Sequence, residues 1–257
     1  MSDYPTRFGG IARLYGHAGL ARLRAAHVCV VGIGGVGTWA VEALARSGVG
    51  SLTLVDLDEI CVTNINRQAH ALTGTVGQAK VSVMAERVLA INPDCQVRAE
   101  QQFFTAQTAA ELLAPKFDFV VDAIDSVTGK VLLLAECRRR ELPVAVSGGA
   151  GGRTDATSVR HADLAAVSHD RLLAEVRKQL RRDHGFPPTG QPMGLDCIYS
   201  ATAPVYAQPD GSVGDRCEVR EDGTRLNCNG GLGSATFVTG VFGFALAGLV
   251  VGRLAGK

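Results

Sequence analysis

Residues 28–37 constrain this chain more than any other stretch. Val28-Cys29-Val30-Val31 leads into glycines spaced G-x-G-x-x-G at Gly32, Gly34 and Gly37, with Gly35 among them. A helix-forming segment, Thr38 to Ala45, follows. The pattern predicts a strand feeding a tight turn that opens a helix. Glycines leave out the Cβ atoms that would keep a phosphate from the backbone. The helix N-terminus offers unpaired N–H donors and a partial positive charge. A phosphorylated ligand is expected here, and the motif alone leaves open whether it is a dinucleotide or ATP.

At 257 residues the chain can bury a large core. Its net charge of +1 argues against a strongly basic nucleic-acid binder but leaves room for a local basic patch. The seven cysteines, at 29, 61, 95, 137, 197, 217 and 228, include no C-x-x-C pair, so no structural zinc is expected. An odd cysteine count and a polar start without an apolar leader point to the reducing cytoplasm. Ala235 to Gly252 is uncharged and approaches the length of a membrane span. Thr236, Thr239 and interspersed glycines dilute its hydrophobicity, and a buried closing helix is the expectation.

In chain order, residues 6–27 form an arm bearing Arg7, Arg13, Arg22 and Arg24. Ser51–Val55 reads as a buried parallel strand. It ends on Asp56, roughly twenty residues past the glycine turn, where an acid grips a ribose. To this point an NAD-dependent oxidoreductase fits equally well. The polar loop that follows, with Asp58 and then Asn64, Asn66, Arg67 and Gln68, is longer than a simple strand–helix connection. Lys80 opens the helix expected over 78–91, where the helix dipole disfavours a cation unless it faces an anion. A strand over 95–99, a helix over 105–113 and a strand over 117–121 come next. The last ends in Asp122 and Asp125, on the edge where doubly wound sheets bind ligands. A helix over 127–140 and a strand over 143–146 complete an alternating series, which predicts a mainly parallel sheet covered on both faces.

Past the glycine-rich turn 147–152 the pattern loosens. A strand with a turn is expected over 153–165, a helix over 168–183, and strand pieces near 197–200 and 204–206. The helix carries Arg171, Arg177, Lys178, Arg181 and Arg182 opposite an apolar face. A solvated face and a nucleic-acid surface read alike here. Three segments result: an arm (1–27), a nucleotide-binding α/β region (28–152) and an extension (153–257) continuous with it.

The glycine turn, Asp56-Leu57-Asp58, Asn64-Ile65-Asn66-Arg67-Gln68, Gly77-Gln78-Ala79-Lys80 and Asp122-Ala123-Ile124-Asp125 resemble, in order and spacing, the ATP site of the ubiquitin-activating-enzyme-like adenylyltransferases. A closer similarity, to the tRNA threonylcarbamoyladenosine dehydratases, runs through almost the whole chain. It rests on Arg7 to Gly16, Cys61-Val62-Thr63-Asn64, Gly148 to Gly152, and Cys228 ahead of a glycine pair. The resemblance implies a Rossmann-like doubly wound fold with an irregular α+β C-terminal extension. It implies carboxylate adenylation by ATP with Mg²⁺, on tRNA carrying N6-threonylcarbamoyladenosine, in a homodimer. By the same resemblance the glycines cradle phosphate and Asp56 holds the ribose. Asn64, Arg67 and Lys80 neutralise the triphosphate, Asp125 binds Mg²⁺, and Arg13 (Arg7 second) reaches a partner's phosphates. Asp58, Asn66, Gln68 and Asp122 complete the ATP site, and the basic helix is the tRNA surface. Cys228 is either a thiol for sulfur or acyl transfer or a structural residue near a turn. Activation of a sulfur-carrier protein, an NAD-dependent oxidoreductase and a non-catalytic scaffold are the alternatives, and a sulfur-carrier or sulfur-acceptor protein is a candidate partner.

Overall fold

The computed structural model describes residues 3–216 and 232–256. Its central sheet is built from β1 (His27–Val31), β2 (Ser51–Val55), β3 (Gln96–Glu100), β4 (Phe119–Asp122), β5 (Val144–Ser147), β6 (Val159–Asp163) and β7 (Asp196–Ser200). The spatial order is β3-β2-β1-β4-β5-β7-β6. All neighbours are parallel except β6, which runs antiparallel to β7. Val31 is in register with both Val55 and Asp122, so the loops leaving β1, β2 and β4 start at one level on one edge. A short hairpin, β8 (Tyr206–Ala207) with β9 (Val213–Gly214), lies off this sheet.

The helices are α1 (Tyr4–Arg7), α2 (Gly9–Ala25), α3 (Gly37–Arg46), α4 (Lys80–Ile91), α5 (Ala109–Leu112), α6 (Val127–Arg139), α7 (Arg171–Asp183) and α8 (Thr236–Ala255). Alternation along a strand sends successive side chains to opposite faces. Val28 and Val30 of β1 join Val41 and Leu44 of α3, Met84 of α4 and Phe242 of α8. Cys29 and Val31 join Leu112 of α5 and Leu133 of α6 on the other side. Because both faces are covered, the central strands read as unbroken apolar runs. The edge strand β3 is largely exposed and begins one residue later than its composition predicts.

Two expectations change. Thr105 and Thr108 accept each other's backbone N–H groups, which competes with helix, and α5 starts only at Ala109. The strand expected near 204–206 is reduced to the two residues of β8. The apolar C-terminal stretch is α8, long and apolar enough to cross a membrane with a mean hydropathy of 1.9. It packs as a core helix, burying Val238, Phe242, Leu246 and Val250 at four-residue spacing. At its closest approach to α3, a Cβ on Gly243 would stand 2.6 Å from the Val36 carbonyl oxygen.

Candidate active site

The strand order reverses between β1 and β4, and ligands of doubly wound sheets bind at that switch point. The glycine turn is pressed against its neighbours there. Gly32 sits at φ +92°, and a Cβ on it would lie 2.7 Å from the Ala123 carbonyl oxygen. A side chain at Gly37 would run into the carbonyl of Gly32. Both backbone groups of Ile33 are held. Its N–H donates to Asp56 Oδ2 at 2.7 Å, and its carbonyl meets His70 Nε2 at 2.8 Å. The carbonyl can only accept, so Nε2 carries the proton. Burial lowers the pKa of His70, which favours this neutral ring.

Asp56 also accepts the Asp58 N–H on Oδ1, at 2.9 Å. Burial raises its carboxyl, with Lys80 pulling the other way. Each oxygen retains a lone pair that a ribose hydroxyl can use. Lys80 is the first residue of α4, is buried, and places Nζ 2.6 Å from Asp58 Oδ2. Its charge is therefore fixed beside two carboxylates at a helix start, an arrangement that gains from an incoming anion. Gln68 is buried against Gly34, and its Oε1 has no partner among the described residues.

Arg67 is half-buried, with Nη1 donating to the Thr63 carbonyl at 2.7 Å and to Asn66 Oδ1 at 3.0 Å. The Arg67 carbonyl accepts from Trp39 Nε1 and from the Thr239 hydroxyl. Asn66 donates to the Ser234 carbonyl at 2.7 Å, and its own carbonyl accepts from the Thr236 hydroxyl. The first turn of α8 thus supports the loop that presents Arg67. Between residues 62–67 and 232–234 lies an open depression of about 610 Å³. Asp125 stands exposed at the carboxyl edge of β4, one residue before Ser126, whose side chain caps α6. Its carboxylate has no hydrogen bond or ion pair with any described residue.

The structure therefore gathers the glycine turn, Asp56, Asp58, Asn66, Arg67, Gln68, Lys80 and Asp125 at one edge. Three expected residues stand elsewhere. Asn64 is turned inward and accepts the Cys61 N–H. Asp122 is fully buried, with Oδ2 3.1 Å from Lys130 Nζ, because the last position of β4 points into the layer under α6. Burial pushes its carboxyl up and Lys130 opposes that shift. The direct nucleotide contact expected of Asp122 is corrected accordingly. Arg13 lies exposed on α2, away from the glycine turn's own hydrogen-bond partners Asp56 and His70. Cys228 lies outside the described residues.

The basic helix is α7. Arg177 donates to the Leu164 and Val167 carbonyls, Arg181 to Pro187, and Arg182 pairs with Asp183. Arg171 faces away, over the Tyr206 ring. The remaining cations border a shallow depression of about 510 Å³. Sequence reasoning did not find His70, Trp39, Thr236, Thr239 or Lys130. The available signals were the single tryptophan just past the glycine turn and a lysine on the apolar stripe of α6.

The family model described as "ThiF family" matches residues 10–256. The chain is 46% identical over 252 residues to the tRNA threonylcarbamoyladenosine dehydratase of Escherichia coli K12, covering 98% of this chain and 94% of that protein. It is 45% identical to the enzyme of the same name from Haemophilus influenzae, covering 100% of this chain and 96% of the relative. Among solved structures, the E. coli tRNA N6-threonylcarbamoyladenosine dehydratase in complex with ATP superposes with a TM-score of 0.87 at 42% identity, covering 99% of this chain and 96% of that one.

Proposed function

The chain belongs to the ThiF family, and from that premise we propose that it is an ATP-dependent dehydratase of N6-threonylcarbamoyladenosine in tRNA. The observation that carries the reading is the meeting of the glycine turn, Asp56, Lys80, Arg67 and Asp125 at one sheet edge. The threonyl carboxylate attacks the α-phosphate of ATP. An oxygen–phosphorus bond forms and pyrophosphate leaves. An internal nucleophile of the threonylcarbamoyl group then attacks the activated acyl carbon, a ring closes, and AMP carries off the oxygen. The net change is loss of one water, and no nucleophile from the protein is required because the reacting groups share one side chain.

The protein supplies positioning and charge. The glycine turn and the N-terminus of α3 receive phosphate, and Asp56 holds the ribose. Lys80 supplies a point charge and Arg67 a planar donor set, so the two are not interchangeable. A magnesium ion needs only one or two carboxylates besides substrate phosphates, and the unpaired Asp125 fits that requirement. Such an ion supplies charge neutralisation on the departing pyrophosphate. The modified nucleoside approaches through the depression beside Arg67, with the tRNA body along α7.

A homodimer completes the site. Its interface includes the outward face of α8, where Phe237 and Phe244 are 59% and 49% exposed, and the second copy supplies Arg13. The setting is the cytoplasm, and a sulfur-carrier or sulfur-acceptor protein is a further candidate partner. The test supplies ATP, Mg²⁺ and tRNA bearing the threonylcarbamoyl group. AMP and a nucleoside lighter by one water are expected, with neither formed by Lys80→Met. Folded wild-type protein that yields no lighter nucleoside refutes the assignment.

A further inference from the structure

We propose that Lys130 is a positioning residue that aims Asp125, acting through Asp122. The proposal rests on the reading of Asp125 as the carboxylate on the Mg·ATP side of the site.

Lys130 and Asp122 are both 0% exposed, and theirs is the one ion pair among the described residues with both side chains wholly shielded. At 3.1 Å the two are ion-paired without hydrogen-bond alignment, and neither Lys130 Nζ nor Asp122 Oδ2 has a hydrogen-bond partner among the described residues. An ammonium with three donors and one neighbour is an inefficient stabiliser. The desolvation of such a pair commonly cancels its attraction, and apolar replacements of similar volume are often neutral or stabilising. Lys130 lies on the inward stripe of α6 with Val131 and Leu134, where an apolar residue would fill the space. Stability does not account for the pair.

Its geometry does suit aiming. Asp122 Oδ1 accepts the Ile124 N–H at 3.1 Å, the side-chain turn that bends the chain out of β4. The Ala123 N–H continues the ladder onto the Val31 carbonyl, and the Ala123 carbonyl is pressed against Gly32. At the far end, the Lys130 N–H donates to the Ser126 carbonyl. The ion pair therefore closes the segment 122–130 into a loop pinned on both sides. Asp125 is the first residue of that loop with no hydrogen bond to another described residue. Lys130 keeps one Asp122 oxygen engaged, which leaves the other aligned on Ile124. Without Lys130, a lone buried carboxyl takes a proton and is free to turn, and Asp125 moves with the turn.

Equilibrium ATP binding, measured in EDTA and in excess MgCl₂, tests this without needing turnover. In Asp122→Leu/Lys130→Met the pair becomes apolar and the acceptor for Ile124 is lost. That variant is expected to melt within a few degrees of wild type and to bind ATP normally in EDTA. In Mg²⁺ its affinity should fall by about tenfold or more, as for a misplaced ligand group. Lys130→Met alone leaves Asp122 without its anchor and should show the same Mg²⁺-specific loss, which gives the same reading should the apolar pair fail to fold. Unchanged Mg²⁺-dependent affinity overturns the proposal, as does an equal loss with and without the ion. Wild-type protein that binds no ATP would refute the nucleotide reading itself, and the proposal with it.

Discussion

Replacing Gly32 by alanine asks the glycine turn to meet two costs that can be separated. The residue sits at φ +92°, where a side chain is strained, by about 1–3 kcal/mol. The new Cβ would also stand 2.7 Å from the Ala123 carbonyl oxygen and 2.8 Å from its carbon, well inside ordinary contact. Overpacking against backbone adds about 1–3 kcal/mol more. Gly190 is a built-in control. Its φ is +90°, and a Cβ there would meet nothing within 4 Å. Gly190→Ala therefore carries the first cost alone. The two variants should differ by about 1–3 kcal/mol, or about 2–12 °C in Tm for a chain of this size. The assay is thermal melting of both variants with and without ATP. Relieving the clash pushes Ala123 and drags the turn that bears Asp125, so ATP should stabilise Gly190→Ala and fail to stabilise Gly32→Ala. Equal melting temperatures, or equal ATP protection, would refute the claim that the glycine turn and the β4 carboxyl loop are in enforced contact.

Two further outcomes follow from the same geometry. Burial holds His70 below its ordinary pKa of 6.5, so the unfolded chain binds a proton that the folded one does not. Stability is then complete above that value and declines as pH falls through it. His70→Gln keeps a donor for the Ile33 carbonyl and should flatten the decline of Tm between about pH 7 and pH 5. A part due to His27, whose pKa burial also lowers, should remain; an unaltered pH profile would count against the buried neutral ring. Phe244 is exposed and meets the edge of Trp39 at 5.8 Å between ring centroids. Phe244→Asp should cost a monomer about 0.5–1.5 kcal/mol through the lost aromatic pair, yet split a homodimer and abolish AMP formation, as read by sedimentation and nucleotide analysis. A variant that stays dimeric would remove this face from the interface.

Much of the nucleotide half is legible in the sequence because local pattern and tertiary setting agree there. β1, β2 and β4 are buried on both faces, so composition alone marks them. Lys80 is legible because a cation at a helix start is locally unfavourable and needs a reason outside the helix. The two carboxylates after β4 show where legibility stops. Asp122 and Asp125 are both acidic, lie three residues apart at a strand end, and fit a ligand edge equally well. Only the fold shows that one enters the core and the other leaves it. A clue exists eight residues on, since a lysine on the buried stripe of an amphipathic helix requires a carboxylate partner. That inference needs the inward face of α6 to be known, which its weak amphipathicity conceals.

The C-terminal helix presents the harder problem, because its composition satisfies two incompatible environments. Length and hydropathy fit a membrane span, and the same features fit a helix buried in a large α/β core. What separates them is polar and specific. The Thr236 and Thr239 hydroxyls are spent on the carbonyls of Asn66 and Arg67, some 170 residues earlier in the chain. Gly243 allows α8 to touch the backbone of α3 directly behind the glycine turn. Threonines and glycines that dilute a hydrophobic stretch are noise to a hydropathy average. In the folded chain they are the positions at which the helix braces the loop carrying Arg67. The nucleotide site is therefore not confined to the first 150 residues, since its outer wall is held by the last helix. No local pattern records that contact, because each of its partners looks ordinary until the chain closes on itself.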